Sequence, residues 1–327
     1  MGSAMRGLRP AVLACGFVLA ATAAAVAQDY PSKTVHLVVP AAPGGITDIM
    51  ARLMAEHVGR ALNQRMVVEN KPAGGGNVGI GSVAQAAPDG YTLLLANVGQ
   101  IACNPWLYKD VPFDTMKELV GVGPVGAGPS ILMVNAALPV ATAKEFIAFA
   151  KANPGKLNYG TAGPAGMPRI VGEQFNHVYG VEVASIPYRG AAPAAVGLGA
   201  GEVQAGFIAL GSVKAQVQAG TIRLLAVVSP RRLSGAPDLP TFDEAGLPGF
   251  DLLNWFGVVA PAGTPRPAIE KLNLAMKAMV DEPAVRARFA EAGIEAMAEP
   301  PADFDARIRR DYEKYGEIIK RTGMRVE

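Results

Sequence analysis

The chain has 327 residues, 50% of them apolar and 18% charged, with 30 Lys and Arg against 28 Asp and Glu. That apolar share supports a buried core and excludes disorder, and the length suggests about two domains. A net charge of +2 excludes a basic nucleic-acid footprint and a polybasic membrane-surface segment, and two cysteines are too few for a disulfide scaffold or a structural zinc site.

Residues 1–27 read as an export signal: Arg6 and Arg9 precede an uncharged, Ala-rich run, and Ala25-Val26-Ala27 gives the small-x-small cleavage pattern. The run is short and weakly apolar for a membrane span. A lipid-modified Cys15 is the rival reading, with only Ala11 to Ala14 before it as apolar lead. Cleavage near Ala27 places the mature chain in a periplasm-like space and leaves Cys103, beside Asn104-Pro105-Trp106, as a small buried apolar residue.

From there short β-rich runs alternate with helical patterns, which predicts α/β layering with parallel strands. Val35 to Val39 is a near-continuous apolar strand, and Pro40 to Ile46 is a turn after which Thr47 or Asp48 caps a helix to about Gly59. Strand Met66 to Glu69, a Gly-rich stretch with a short helix to Ala87, and strand Tyr91 to Ala96 follow. The rhythm resumes with strands at 131–134, 157–159, 183–187, 203–210 and 222–229, separated by helices at 142–152, 168–178, after Gly190, and 212–219. A strand at 252–260 and helices at 265–281, 283–292 and 301–323 end the chain. Gly and Pro concentrate at 121–128 and 240–250, which predicts two lobes joined by two crossings: residues 28–126 with 250–327 returning to them, and residues 127–249.

Catalytic signals are missing from the sequence. Its three histidines, His36, His57 and His177, lie in no G-x-S-x-G, H-E-x-x-H or comparable pattern, and no D-x-D-x-D-G calcium loop occurs. Gly74, Gly76 and Gly79 fit G-x-G-x-x-G, but Lys71-Pro72-Ala73 separates them from the strand, unlike a dinucleotide loop. No enzyme activity, metal or cofactor is expected.

The informative features are two strand-to-helix turns rich in Gly and hydroxyl residues. One is Pro43-Gly44-Gly45-Ile46-Thr47-Asp48; the other runs from Gly160-Thr161-Ala162-Gly163 to Gly166. Helix N-termini expose unpaired N–H groups at the positive end of a dipole, and Gly lets an anion approach them. One turn in each lobe can clamp a carboxylate at the carboxyl ends of the strands, although each turn alone is also ordinary turn chemistry. Asn97, Tyr188, Arg189, Phe207, Trp255 and Phe256 are further candidates. Tyr188 and Arg189 either reach a second acidic group or lie on the lobe surface, and Trp255 and Phe256 are either core or a cleft wall.

The order of motifs resembles the Bug family, the periplasmic solute receptors of tripartite tricarboxylate transporters. It is carried by Tyr30-Pro31-Ser32-Lys33, Leu37 to Pro40 with Pro43-Gly44-Gly45 and Thr47-Asp48, Val67 to Pro72, and Ala87 to Leu94. Further along come Asn104-Pro105 with Leu107-Tyr108, Pro154 to Gly160, Pro187 to Gly190, Glu244 to Gly249, Trp255-Phe256-Gly257, and Ala260 to Pro265. The resemblance implies a type II periplasmic-binding-protein fold, two lobes each with a mixed, mostly parallel sheet flanked by helices, closing on a small carboxylate. It also implies delivery to inner-membrane permease subunits, with the 43–48 and 160–166 turns holding one carboxylate through main-chain N–H groups. We expect a monomer that takes no nucleic acid.

Against that family pattern, Ala209 stands where many relatives have an Asp that pairs with a ligand ammonium, which counts against an amino-acid ligand. Met167 makes its turn less polar, Arg169 is a candidate partner for a second carboxylate, and Ile46 adds an apolar wall. These departures favour a dicarboxylate or an aromatic acid. A ligand sensor for a membrane signalling protein and an exported hydrolase are the alternatives.

Overall fold

Strand β1 (Val35–Val39) is buried at four of its five positions because neighbours cover both its faces. It runs parallel to β2 (Met66–Asn70), in register Val35 to Met66, and to β3 (Thr92–Asn97), in register Leu37 to Leu93. The crossovers are the right length for helices: α1 (Ile46–Ala61) and α2 (Asn77–Ala84). In α1, Met50, Ala51, Met54 and Val58 are buried at helical spacing. The computed structural model describes residues 30–163 and 166–326. The segment 1–27, read as an export signal, lies outside the described residues. All the strands named here belong to one compact unit, Lys33–Glu327.

Two mixed sheets organise that unit. The first has the order β11-β4-β10-β3-β1-β2, where β4 is Leu119–Ala127, β10 Trp255–Pro261 and β11 Glu295–Ala296. The second is β7-β6-β8-β5-β9, built from β5 (Ser130–Asn135), β6 (Leu157–Thr161), β7 (Val183–Pro187), β8 (Ala205–Ala209) and β9 (Ile222–Val227). Each holds a parallel triplet, 2-1-3 or 7-6-8, and the remaining strands pair antiparallel. Four of the strands in antiparallel pairs, β4, β5, β9 and β10, flank the two crossings, where the chain passes from one sheet to the other. Helices α3 (Ala143–Ala152), α4 (Met167–Tyr179) and α5 (Ala191–Ala200) accompany the second sheet. Helices α6 (Arg266–Asp281), α7 (Pro283–Glu291) and α8 (Pro301–Thr322) close the chain.

Of the stretch 121–128, read as an interlobe break, only Gly128 lies in the crossing, and residues 121–127 belong to strand β4. Its glycines are there for packing: a Cβ on Gly121 would meet the Phe304 ring at 2.9 Å, and one on Gly123 would meet Asn273 Nδ2 at 2.4 Å. Glycine inside a strand marks close approach by other atoms, here side chains of α8 and α6. The crossing itself is Gly128-Pro129, and the Gly128 N–H donates to Asn254 O, tying the two crossings together at 2.9 Å. Residues 99–118 carried no predicted element. They form a π-turn (Gly99–Cys103) and two short helices, Asn104–Leu107 and Thr115–Glu118. No helix among the described residues is long and apolar enough to cross a membrane.

Candidate ligand-binding site

A cavity of about 320 Å³ lies between residues of the two sheets. Gly75, Asn97, Gly99, Gln100, Asn104, Leu107 and Tyr108 line it on the first-sheet side. Gly166, Met167 and Pro168 line it from the second, and Asn254 from the crossing. None of these side chains is charged. They supply amides, one phenol and a few apolar surfaces, a composition that orients a small polar ligand by hydrogen bonds.

The first wall is a web of amides. Asn97 Oδ1 accepts the Gln100 N–H at 3.0 Å, while Gln100 Oε1 accepts the Asn97 N–H at 3.2 Å. Gln100 Nε2 donates to Pro40 O at 2.6 Å, fixing the end of β1 to the π-turn. Asn104 Nδ2 donates to Asn77 Oδ1 at 2.7 Å and to Gly75 O at 3.2 Å. Gly74, Gly75 and Gly76 all have positive φ (61°, 67° and 92°), and a Cβ on Gly75 would fall 2.1 Å from Tyr108 Oη. Only glycine can therefore bring this loop against that phenol.

The second wall is the start of α4. Gly166 caps it with φ 103°, and among the described residues no side chain caps its N–H groups. Pro168 has no N–H, and the Arg169 and Ile170 N–H groups donate to Gly166 O, so among the described residues the Met167 N–H is the donor of this first turn left without a backbone acceptor. Asn254 Oδ1, at the crossing, is buried and has no hydrogen-bond partner among the described residues.

Of the residues singled out from sequence, Asn97, Gly166 and Met167 line the cavity. Gly160 and Thr161 end β6; the Thr161 hydroxyl is buried and donates to Gly163 O at 2.7 Å, within its own turn beside half-exposed Ala162 and Gly163. The turn at Pro43, Gly44, Gly45 and Ile46 sits at the surface of the first lobe. Its helix begins at Ile46 with Gly45 as cap, earlier than the expected Thr47 or Asp48. Thr47 is buried, and so is Asp48, whose Oδ2 accepts the Gly44 N–H and the Arg52 Nε–H, each at 2.9 Å. Arg52 first, with the Gly44 N–H and Asn70 adding to it, holds the Asp48 carboxyl below the usual range. This carboxylate already occupies part of the positive helix end that was read as open to an anion.

Phe207, a candidate ligand contact, and Trp255 are both core. Phe207 packs 5.3 Å from Phe175 and edge-on to Tyr159 at 5.8 Å, and the fully buried Trp255 packs edge-on to Phe304 at 5.1 Å. Phe256 is buried at the hinge, its ring 3.4 Å from where a Cβ on Gly128 would lie. Ala209 ends β8 opposite Ser130. Tyr188 donates to Glu202 Oε2 at 3.0 Å over Gly197, within its own lobe; burial, then Glu202, raises its pKa. Arg169 lies 3.9 Å from Glu173 along α4, and Arg189 is exposed. Sequence reasoning missed Gly75, Gly99, Gln100, Asn104, Leu107, Tyr108, Pro168 and Asn254. The run of three glycines and the Asn104-Pro105 motif were the visible signals.

A family model described as the tripartite tricarboxylate transporter family receptor (TctC) matches residues 50–324. A UPF0065 protein of Bordetella pertussis is 34% identical over 309 residues, 94% of this chain and 95% of that protein. The protein BugT of Bordetella pertussis is 32% identical over 97% of this chain and 98% of its own. Among solved structures, an R. palustris protein with adipate aligns with a TM-score of 0.76 at 32% identity, over 90% of this chain and 99% of its own. MatC from Rhodopseudomonas palustris with bound malate aligns with a TM-score of 0.72 at 28% identity, over 89% and 100%. Two mixed sheets, a cavity of uncharged donors between them and matches along nearly the whole length agree: the chain belongs to the tripartite tricarboxylate transporter family receptors, a family of periplasmic solute-binding proteins.

Proposed function

We propose that this receptor captures a small carboxylate, a dicarboxylate or an aromatic acid, between its lobes and hands it to the membrane permease of a tripartite tricarboxylate transporter. The lobes are residues 28–126 with 250–327, and residues 127–249, and residues 1–27 direct export with cleavage near Ala27. The observation that carries the reading is the charge-free cavity of about 320 Å³ lined by Asn97, Gln100, Asn104, Tyr108 and the start of α4. Neutral N–H and O–H donors hold a carboxylate by charge-assisted hydrogen bonds and release it without breaking a buried ion pair. The adipate and malate in the two R. palustris structures support a dicarboxylate. The surface turn at residues 43–48 and the turn at 160–163 join the ligand when the lobes close.

A thermal-shift panel of mono-, di- and tricarboxylates and aromatic acids tests this. A true ligand at 100 times its dissociation constant stabilises the fold by about 2.7 kcal/mol. No shift with any acid overturns the reading. Loss of uptake on deleting either the receptor gene or neighbouring permease genes supports delivery to a transporter; uptake that persists in both does not.

A further inference from the structure

A second, larger cavity of about 600 Å³ lies beside the crossings and shares no residue with the first. Leu253 lines this one and the next residue, Asn254, lines the other. Both sheets contribute: Arg231 follows β9 of the second, and Arg310 belongs to α8, which packs on β4 of the first through Asp305 and the Gly121 N–H at 2.7 Å.

The charges in this cavity are unequally satisfied. Glu299 holds Arg307 through two bonds of 2.5 and 3.0 Å, Glu295 accepts the Ser234 N–H and O–H at 2.8 Å each, and Asp251 pairs with Lys314 at 3.3 Å. Arg232 is taken by Glu244 at 2.8 Å and by Pro237 O at 3.0 Å. Among the described residues, the guanidinium groups of Arg231 and Arg310 have no carboxylate within ion-pair distance.

We propose that this hinge cavity binds a small oxyanion carrying two or more negative charges, held between Arg231 and Arg310. Each guanidinium offers a planar fork of donors suited to carboxylate or phosphate oxygens. Glu299 and Asp251 are compensated by Arg307 and Lys314, so the two open guanidinium forks of Arg231 and Arg310 are what an anion with two or more charged oxygens engages, one fork for each charge. The site is independent of the carboxylate cavity and spans both lobes.

Calorimetric titration of the full chain with inorganic pyrophosphate, and separately with citrate, tests it. Saturable binding of either anion is expected, about tenfold weaker in each of Arg231→Gln and Arg310→Gln and abolished in the double variant. Binding unchanged in Asn97→Ala/Gln100→Ala is also expected, because that pair lines the other cavity. Which anion binds separates a phosphate source from a polycarboxylate one. The proposal is overturned by no saturable heat with either anion, or by heat that survives the double hinge variant. Heat lost only in the Asn97/Gln100 variant moves the anion to the first cavity and leaves the carboxylate reading standing. Because both arginines are exposed, their glutamine variants fold, and an unchanged melting temperature confirms it.

Discussion

Trp255 donates its indole N–H to Asp311 Oδ2 at 2.8 Å, and both residues are buried. Lys314 holds the other oxygen at 3.0 Å and reaches the Asp251 carbonyl at 2.9 Å. The second crossing, residues 251–255, is thereby fastened to α8 through one carboxylate. Breaking this buried group leaves an indole N–H and an ammonium short of a partner. Asp311→Ala is expected to lower unfolding free energy by about 3 kcal/mol, and Asp311→Asn, which keeps an acceptor, by about 1 kcal/mol. Denaturant midpoints followed by tryptophan fluorescence check both; equal losses would mean that the ion pair, not the indole bond, sets the stability.

Gly75→Ala puts a methyl group where Tyr108 Oη lies and forces a residue with a Cβ into φ 67°. Overpacking and backbone strain together are expected to cost about 1–3 kcal/mol and to weaken capture of whichever acid the thermal-shift panel identifies. Wild-type affinity in this variant would show that the Gly75–Tyr108 contact does not shape the cavity.

Acid should loosen the turn before α1. The Asp48 carboxyl is held below its ordinary value, near 3.9, chiefly by Arg52. Its contribution is therefore fully present above about pH 4 and is lost as pH falls through the lower folded-state value. Asp48→Asn is expected to be less stable than wild type at pH 7, with the gap narrowing below pH 4. Parallel stability curves down to about pH 2.5 would contradict this.

Cys103 is buried, and burial first, then the nearby Asp311 charge, pushes its thiol well above the ordinary range. The thiolate is the reactive form. In a chain beginning at residue 28, where Cys103 is the only cysteine, labelling by a thiol reagent is expected only as fast as the protein opens. Rapid stoichiometric labelling of the folded protein would show the site to be accessible.

Thr161→Ala removes the bond to Gly163 O and frees the turn leading to α4. A loss of about 1 kcal/mol in stability is expected, as for a typical hydrogen bond. If ligand affinity falls while stability is unchanged, the hydroxyl acts on the ligand rather than on the turn.

Much of this was legible in the sequence, because it rests on local patterns. Val35 to Val39 as a strand, a helix after the turn at Pro40 to Ile46, and the glycine before Met167 each follow from neighbours along the chain. The order of motifs was enough to anticipate the receptor family. Local pattern misread the glycines of β4 as a break, since Phe304 and Asn273, which need that space, lie some 150–180 residues away. It likewise left Trp255 and Phe256 as either core or cleft wall, because an aromatic residue reads the same in a core and at a surface. Tertiary structure alone decided that Gln100, Asn104, Tyr108 and Asn254 meet at one cavity, and that Arg231 and Arg310 meet at another. The physical reason is that a binding site is an intersection of distant segments, and residue type carries no record of which segments will meet.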